Sequence, residues 1–205
     1  ASDVYKRQLL TVHDADDEDE KSPAYDVEAF AYGDASFSKS GAEMVEDMPP
    51  LDMAGLPVGG GGLIAGMAAA IRKMSPDTLI IGVEPEGANS LSRSFASGRP
   101  ETLDSINTIA DSLGAPMALA ESMTLARENV DELITIPDSL MADTMLLMHR
   151  TLNIVAEPAC TASLGSVLGP LRERAAGKQG TGAGEAEVSE CRRKASKAKA
   201  RHHAG

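Results

Sequence analysis

Pro57-Val58-Gly59-Gly60-Gly61-Gly62-Leu63-Ile64-Ala65-Gly66 is the stretch on which the reading of this chain turns. Four consecutive glycines separate the apolar run Leu51 to Val58 from the helix-like run Leu63 to Met74. Glycine lacks a Cβ, so the backbone can adopt positive φ and approach another group closely. The N–H groups of such a loop then join the unsatisfied N–H groups and the positive dipole end of the following helix. A strand feeding a helix through bare glycine is therefore a place to hold a phosphate.

Outward from this loop, strand and helix alternate. Upstream, Ala42, Met44, Val45 and Met48 lie among Glu43, Glu46 and Asp47, predicting a short helix from Gly41 that Pro49-Pro50 ends. Strand Met53–Val58 follows, then the loop and a helix over Leu63–Lys73, with Arg72 and Lys73 where cations suit the dipole. Thr78–Val83 is a continuous apolar strand, as in a parallel sheet buried on both faces. It is ended by Glu84-Pro85-Glu86-Gly87. Helices are expected over Asn89–Ala96, Glu121–Asn129 and Asp138–Arg150, with Asp138 as N-cap. Strands are expected at Glu132–Ile136 and Ile154–Ala156, a last helix over Ala159–Leu171, and irregular chain over Thr108–Met117. The fold class expected is α/β, an open parallel sheet with flanking helices.

The ends differ from this body. Ala1–Gln8 reads as an artefactual start, and Asp14 to Glu20 is an acidic patch broken only by Ala15, expected to be solvated or disordered. Residues 22–40 show no clear period and read as loop with one short helix. From Ala175 the chain is rich in Gly, Ala, Lys, Arg and Glu, without an apolar face. The expected division is thus an acidic segment 1–40, an α/β unit 41–175 and a basic low-complexity tail 176–205.

Composition narrows the function. The net charge of −12 is uneven: residues 1–171 hold 10 basic and 27 acidic side chains, residues 172–205 hold 9 and 4. An acidic body argues against nucleic acid as a partner. No apolar run approaches the roughly 20 residues that span a bilayer, so no membrane partner is expected. No basic leader with an apolar run opens the chain, and Cys160 and Cys191 have no metal or disulfide spacing. A cytoplasmic location is the expectation.

Three glycine motifs compete for the loop. A P-loop needs a lysine and a hydroxyl that nothing after Gly62 supplies. A flexible linker would be flanked by polar residues rather than by a strand and a helix. A dinucleotide-binding Rossmann reading uses Gly60, Gly62 and Gly66, with Glu84 on the ribose hydroxyls of NAD(P). It stands as the alternative.

The loop together with Ile81-Gly-Val-Glu-Pro-Glu-Gly-Ala88, Thr108-Ile-Ala-Asp111 and Val155-Ala-Glu-Pro-Ala159 resembles the threonine dehydratase and serine racemase-like family of fold-type II pyridoxal-phosphate enzymes. The resemblance spans about residues 41–175, keeps the motif order, and implies part of the large domain of a tryptophan synthase β-like fold. It implies a threonine or serine ammonia-lyase (dehydratase) with pyridoxal 5′-phosphate as cofactor, the phosphate on Gly59, Gly60, Gly61, Gly62 and Leu63, and Asp111 and Glu157 beside the ring. A mono-phosphate needs one nest of N–H donors and neither lysine nor magnesium, which agrees with the bare loop. Glu84 and Ala88 match ligands of a divalent cation in racemase-like members; Ser90 stands where the third ligand is an aspartate. The cation is an optional partner of the reading, since hard cations prefer carboxylate oxygens. The family implies an amino-acid substrate, threonine or serine, and a homo-oligomer in the full-length enzyme.

The Schiff-base lysine of the family has no counterpart. It belongs to a Ser-Phe-Lys-x-Arg-Gly stretch more than about a hundred residues before the loop in the family. Ser36-Phe37-Ser38-Lys39-Ser40-Gly41 is interrupted by Ser38, and Gly41 to Glu43 fits a different family segment. The expectation is a chain without a catalytic lysine and without turnover by itself. Two smaller departures are Ser112 and Cys160, each in place of a glycine. Residues 179–190 show no apolar strand where a Ser-Gly-Gly-Asn segment is expected.

Overall fold

A computed structural model describes residues 34–48, 50–178 and 180–182. The stretch Ala1–Gln8, the acidic patch at Asp14–Glu20 and the tail beyond residue 182 lie outside the described residues.

The elements in chain order are α1 (Asp34–Asp47), β1 (Met53–Pro57), α2 (Gly62–Met74), β2 (Leu79–Pro85), α3 (Ser90–Ser97), α4 (Ala120–Asn129), β3 (Glu132–Ile136), α5 (Asp138–Leu152), α6 (Ala162–Leu168), α7 (Arg172–Ala175) and β4 (Gly180–Gly182). Short 3-10 turns occupy Glu86–Ala88, Asp111–Leu113 and Pro158–Thr161. The sheet runs β3-β2-β1-β4 and every pairing is parallel. Met53 faces Leu79 and Pro57 faces Val83 across β1 and β2; Ile81 faces Glu132 across β2 and β3. All strands therefore end on one edge, where Pro57, Pro85 and Ile136 hand the chain to the loops that carry the candidate site.

Alternation along β2 explains helices on both faces. Ile80 joins a core with Leu56, Val58, Ile64, Met67, Ile71 and Met123, which seats α1, α2 and α4 on one side. Val83 points the other way, into Ile136, Met141, Ala159 and Ala162, beneath α5 and α6. Each fully buried Leu, Ile or Val of these clusters contributes about 2 kcal/mol by burial. Strand starts are tied by Arg72, whose guanidinium donates to Pro76 O at 2.6 Å, Asn129 O at 3.1 Å and Asp131 Oδ2 at 2.7 Å. The same Asp131 oxygen accepts from Ile80 N at 2.7 Å, so β2 and β3 enter the sheet through one clamp.

Four expectations are corrected. The stretch read as loop up to residue 40 is helical from Asp34. Its buried side carries Ser38, Gly41 and Ala42, too small and polar to register as an apolar stripe. A Cβ at Gly41 would lie 2.7 Å from Met67 O, so the absence of a side chain lets α1 lie directly on α2. The strand expected at Ile154–Ala156 is absent: Asn153 takes φ 55, α5 ends there, and Val155 is 87% exposed with no strand beside it. The last helix does not run unbroken over Ala159–Leu171 but starts as the 3-10 turn Pro158–Thr161 and breaks at Gly169-Pro170 before α7. Finally, the low-complexity tail, read as without an apolar strand, contains the short strand β4, which pairs with Met53–Gly55 although it is not apolar. Backbone hydrogen bonding to the free edge of β1 makes Gly-Thr-Gly a strand without any apolar pattern.

Candidate functional site

The tetraglycine loop lies at the end of β1. Val58 N donates to Val83 O at 2.9 Å, the last rung before the chain leaves the sheet. Gly61 then takes φ 90 and ψ −14 and caps α2 without a side-chain bond. An L-residue is strained there by about 1–2 kcal/mol. Ala65 N closes the first helical bond on Gly61 O at 3.0 Å. The N–H groups of Gly62, Leu63 and Ile64 precede it and have no carbonyl one turn back within the helix. Gly60 is exposed and Gly59, Gly62 and Leu63 are half-buried, so the loop side of this helix start is reached from outside, while Gly61 and Ile64 are buried.

Gly59 fixes what stands next to the loop. A Cβ there would lie 3.2 Å from both Leu113 Cα and Ser112 O. The 3-10 turn Asp111–Leu113 thus rests on the bare backbone of Gly59. Ser112 Oγ donates to Glu157 Oε1 at 2.7 Å, which draws the start of the 3-10 turn Pro158–Thr161 to the same place. Gly59 to Leu63, Asp111 and Glu157 therefore converge at the strand ends. Asp111 and Glu157 are both exposed. Ser112, singled out from sequence only as a replaced glycine, supplies the hydroxyl that bonds the Glu157 carboxylate.

Glu84 is elsewhere, and its surroundings correct the ribose reading. It is the penultimate residue of β2, fully buried. Oε1 accepts from Leu91 N at 2.8 Å, while Oε2 accepts from Ser92 N at 2.8 Å and from Ser92 Oγ. The carboxylate serves as the cap of α3, whose preceding residue Asn89 makes no side-chain cap bond. A group so enclosed does not face a ribose beside the glycine loop. Gly66, third glycine of that reading, instead offers its carbonyl to Ser38 Oγ of α1 at 3.2 Å.

Ala88 and Ser90 are also fully buried, and Ser90 Oγ has no hydrogen-bond partner among the described residues. Among the described residues no group of three or more His, Cys, Asp or Glu side chains could hold a metal ion. Of the described lysines, Lys39 is exposed on α1 with Nζ 4.0 Å from Glu43 Oε1. Lys73 lies ten residues beyond Leu63, about 15 Å along α2 at 1.5 Å per residue.

Burial is the main influence on Glu84 and pushes its carboxyl above the ordinary value of 4.5; Ser92 Oγ and the Leu91 and Ser92 N–H groups pull it partly back. A carboxyl whose pKa is raised by folding adds stability while protonated in both states and loses that contribution as pH rises through the folded value. The melting temperature of the unaltered chain minus that of Glu84→Gln is therefore expected to fall as pH rises from acid toward neutrality. Melts followed by circular dichroism across that range check it, and a difference that grows with pH contradicts it.

The class defined by this geometry is a parallel α/β domain with a nest of backbone donors at its strand ends. The profile of the family described as "Pyridoxal-phosphate dependent enzyme" matches residues 12–183. The chain belongs to that family. It is 40% identical over 139 residues to the phenylserine dehydratase of Ralstonia pickettii, covering 68% of this chain and 43% of that one. It is 34% identical over 131 residues to the L-threonine ammonia-lyase of Thermotoga maritima, covering 64% and 33%. Maize serine racemase superimposes with a TM-score of 0.68 at 30% identity, over 74% of this chain and 47% of that structure. The chain thus spans less than half the length of the curated relatives it matches, and the fold is part of the open parallel α/β domain of fold-type II pyridoxal-phosphate enzymes.

Proposed function

We propose that this chain is the phosphate-holding part of a pyridoxal-phosphate-dependent ammonia-lyase acting on a 3-hydroxy amino acid, threonine or serine. The observation that carries the reading is the loop itself: Gly61 at φ 90 turns the chain into α2, and Gly59 lets the Asp111 turn close over it. The cradle fits a phosphate dianion, because its donors are backbone N–H groups at a helix start and no carboxylate among the described residues bonds to them. Relatives named for phenylserine and threonine agree in the class of substrate.

In this reading the N–H groups of Gly60 to Leu63 hold the phosphate and so orient the rest of the cofactor across the strand ends. The bound cofactor supplies an electron sink for the chemistry at the substrate's α-carbon. Glu157, bonded to Ser112, and Asp111 place two exposed carboxylates beside the glycine loop at the strand ends. Glu84 organises α3 behind the loop, and no cation is assigned to Glu84, Ala88 and Ser90. Among the described lysines, Lys39 pairs with Glu43 on α1, Lys73 stands in the last turn of α2 and Lys178 precedes β4 at the strand-start edge, so the reading is of non-covalent phosphate binding without turnover by the described residues. The assembly in the complete enzyme is a homo-oligomer in the cytoplasm.

The test is a titration of the full chain with pyridoxal 5′-phosphate, followed by the induced circular dichroism of the chromophore. Pyridoxal without the phosphate serves as control. The phosphorylated form is expected to bind and pyridoxal to bind far more weakly. Gly61→Ala is expected to weaken binding about tenfold, since 1–2 kcal/mol of left-handed strain corresponds to that ratio. Equal binding of the two forms, or none of either, ends the reading. Formation of 2-oxobutanoate from threonine ends the claim of inactivity.

A further inference from the structure

The strand-end loop Asn107–Ala115 is anchored where Asn107 N donates to Gly87 O at 3.0 Å, where Leu113 rests against Gly59, and where Ser112 bonds to Glu157. A further anchor is Asp138, the first residue of α5, thirty residues away from Thr108 in sequence. A carboxylate at a helix start ordinarily serves its own helix, bonding to N–H groups in the first turn and favoured there by the dipole. Here it turns outward. Asp138 Oδ1 accepts from Thr108 Oγ1 at 2.7 Å and Oδ2 accepts from Ile109 N at 2.8 Å. Thr108 Oγ1 in turn accepts from Ala110 N at 3.1 Å. One carboxylate thereby fixes three successive residues immediately before Asp111, and Leu113 N closes the turn on Ala110 O at 2.9 Å.

Apolar packing shares in holding the segment: Ala110 and Leu113 are buried in the cluster with Val83, Ile136 and Met141 of α5, whereas Ile109, between the clasp and the turn, is 47% exposed. What the clasp adds on the α5 side is directional bonding to a charged acceptor, the stronger kind of hydrogen bond.

We propose that Asp138 is a positioning residue for the phosphate loop: by clasping Thr108 and Ile109 it seats the Asp111–Leu113 turn against Gly59 and so keeps the donors of Gly60 to Leu63 in binding geometry. The proposal rests on the reading of the loop as the cofactor-phosphate site. Asp138 itself touches no cofactor in this scheme; it acts through the turn.

The experiment uses the full 205-residue chain, pyridoxal 5′-phosphate as the probe, and the variants Asp138→Asn, Thr108→Val and Thr108→Ser. Two quantities are read: the dissociation constant with the induced circular dichroism of the bound chromophore, and the amide exchange of residues 109–113 against Ala54 and Ile80 in the sheet. Asp138→Asn and Thr108→Val are each expected to weaken binding about tenfold, which corresponds to about 1.4 kcal/mol of binding energy lost from misplaced donors. Their double variant is expected to be no weaker than either alone, and Thr108→Ser, which keeps the hydroxyl, to bind like the unaltered chain. Exchange at 109–113 is expected to quicken while Ala54 and Ile80 stay protected, which also shows that the variants are folded. Faster exchange with unchanged affinity makes the clasp merely structural and overturns the proposal. Unchanged exchange in Asp138→Asn overturns it whatever the affinity does. Should the unaltered chain bind no pyridoxal phosphate, the reading of the site fails, and the role of Asp138 in seating the turn is decided by exchange alone.

Discussion

Replacing Glu84 by Ala is expected to cost about 3 kcal/mol of stability, because one buried and one half-buried N–H group and a hydroxyl lose their acceptor together. Leu91 N and Ser92 N at 2.8 Å each, together with Ser92 Oγ, depend on the two oxygens of this side chain. They lie in the first turn of α3, where the helix itself provides no carbonyl. For a chain of this size that loss lowers Tm by about 6–12 °C. Glu84→Gln keeps one acceptor and is expected to fall between the two. Thermal melts of the three proteins at neutral pH are the measurement, and a Glu84→Ala variant as stable as the unaltered chain would show that water replaces the carboxylate without cost.

Gly87→Ala is expected to be comparably damaging, by a different route. A Cβ on Gly87 would sit 1.7 Å from Asn107 O and 2.6 Å from Asn107 C. Both are backbone atoms, so no rotamer change relieves the overlap. One segment must move, and the bond from Asn107 N to Gly87 O at 3.0 Å goes with it. Overpacking of this kind costs about 3 kcal/mol. Because Asn107 leads directly into the Thr108–Asp138 clasp, the same substitution is expected to speed amide exchange at residues 107–110. Melting and exchange measured on one sample check both statements; a fully stable Gly87→Ala with unchanged exchange contradicts them.

These two residues also show how much of the site can be read from a single chain. Glu84 and Gly87 both stand out in Ile81-Gly-Val-Glu-Pro-Glu-Gly-Ala88, yet their partners are invisible there. The strand-end carboxylate reads most plainly as a salt-bridge or capping group, with a ribose or a cation as the sharper readings, and Leu91 and Ser92 enclosing it decide for the cap. Gly87 is an ordinary turn glycine until Asn107 is seen to cross it.

Short-range physics was legible in the sequence. Apolar runs of strand length at Met53 and Leu79, bounded by glycine and proline, and helical repeats between them specify the parallel α/β pattern. The bare glycines ahead of Leu63 specify a nest of donors at a helix start. The elements misread were those with weak local signals. Ser38, Gly41 and Ala42 bury a helix face without looking apolar, and Gly180–Gly182 becomes a strand only because β1 has an open edge. What tertiary structure alone decided is which groups meet: Ser112 with Glu157 across 45 residues, Thr108 with Asp138 across 30, and Gly59 with the backbone of Leu113. Such contacts depend on how two loops leave the same edge of a sheet, and periodicity along the chain carries no information about that.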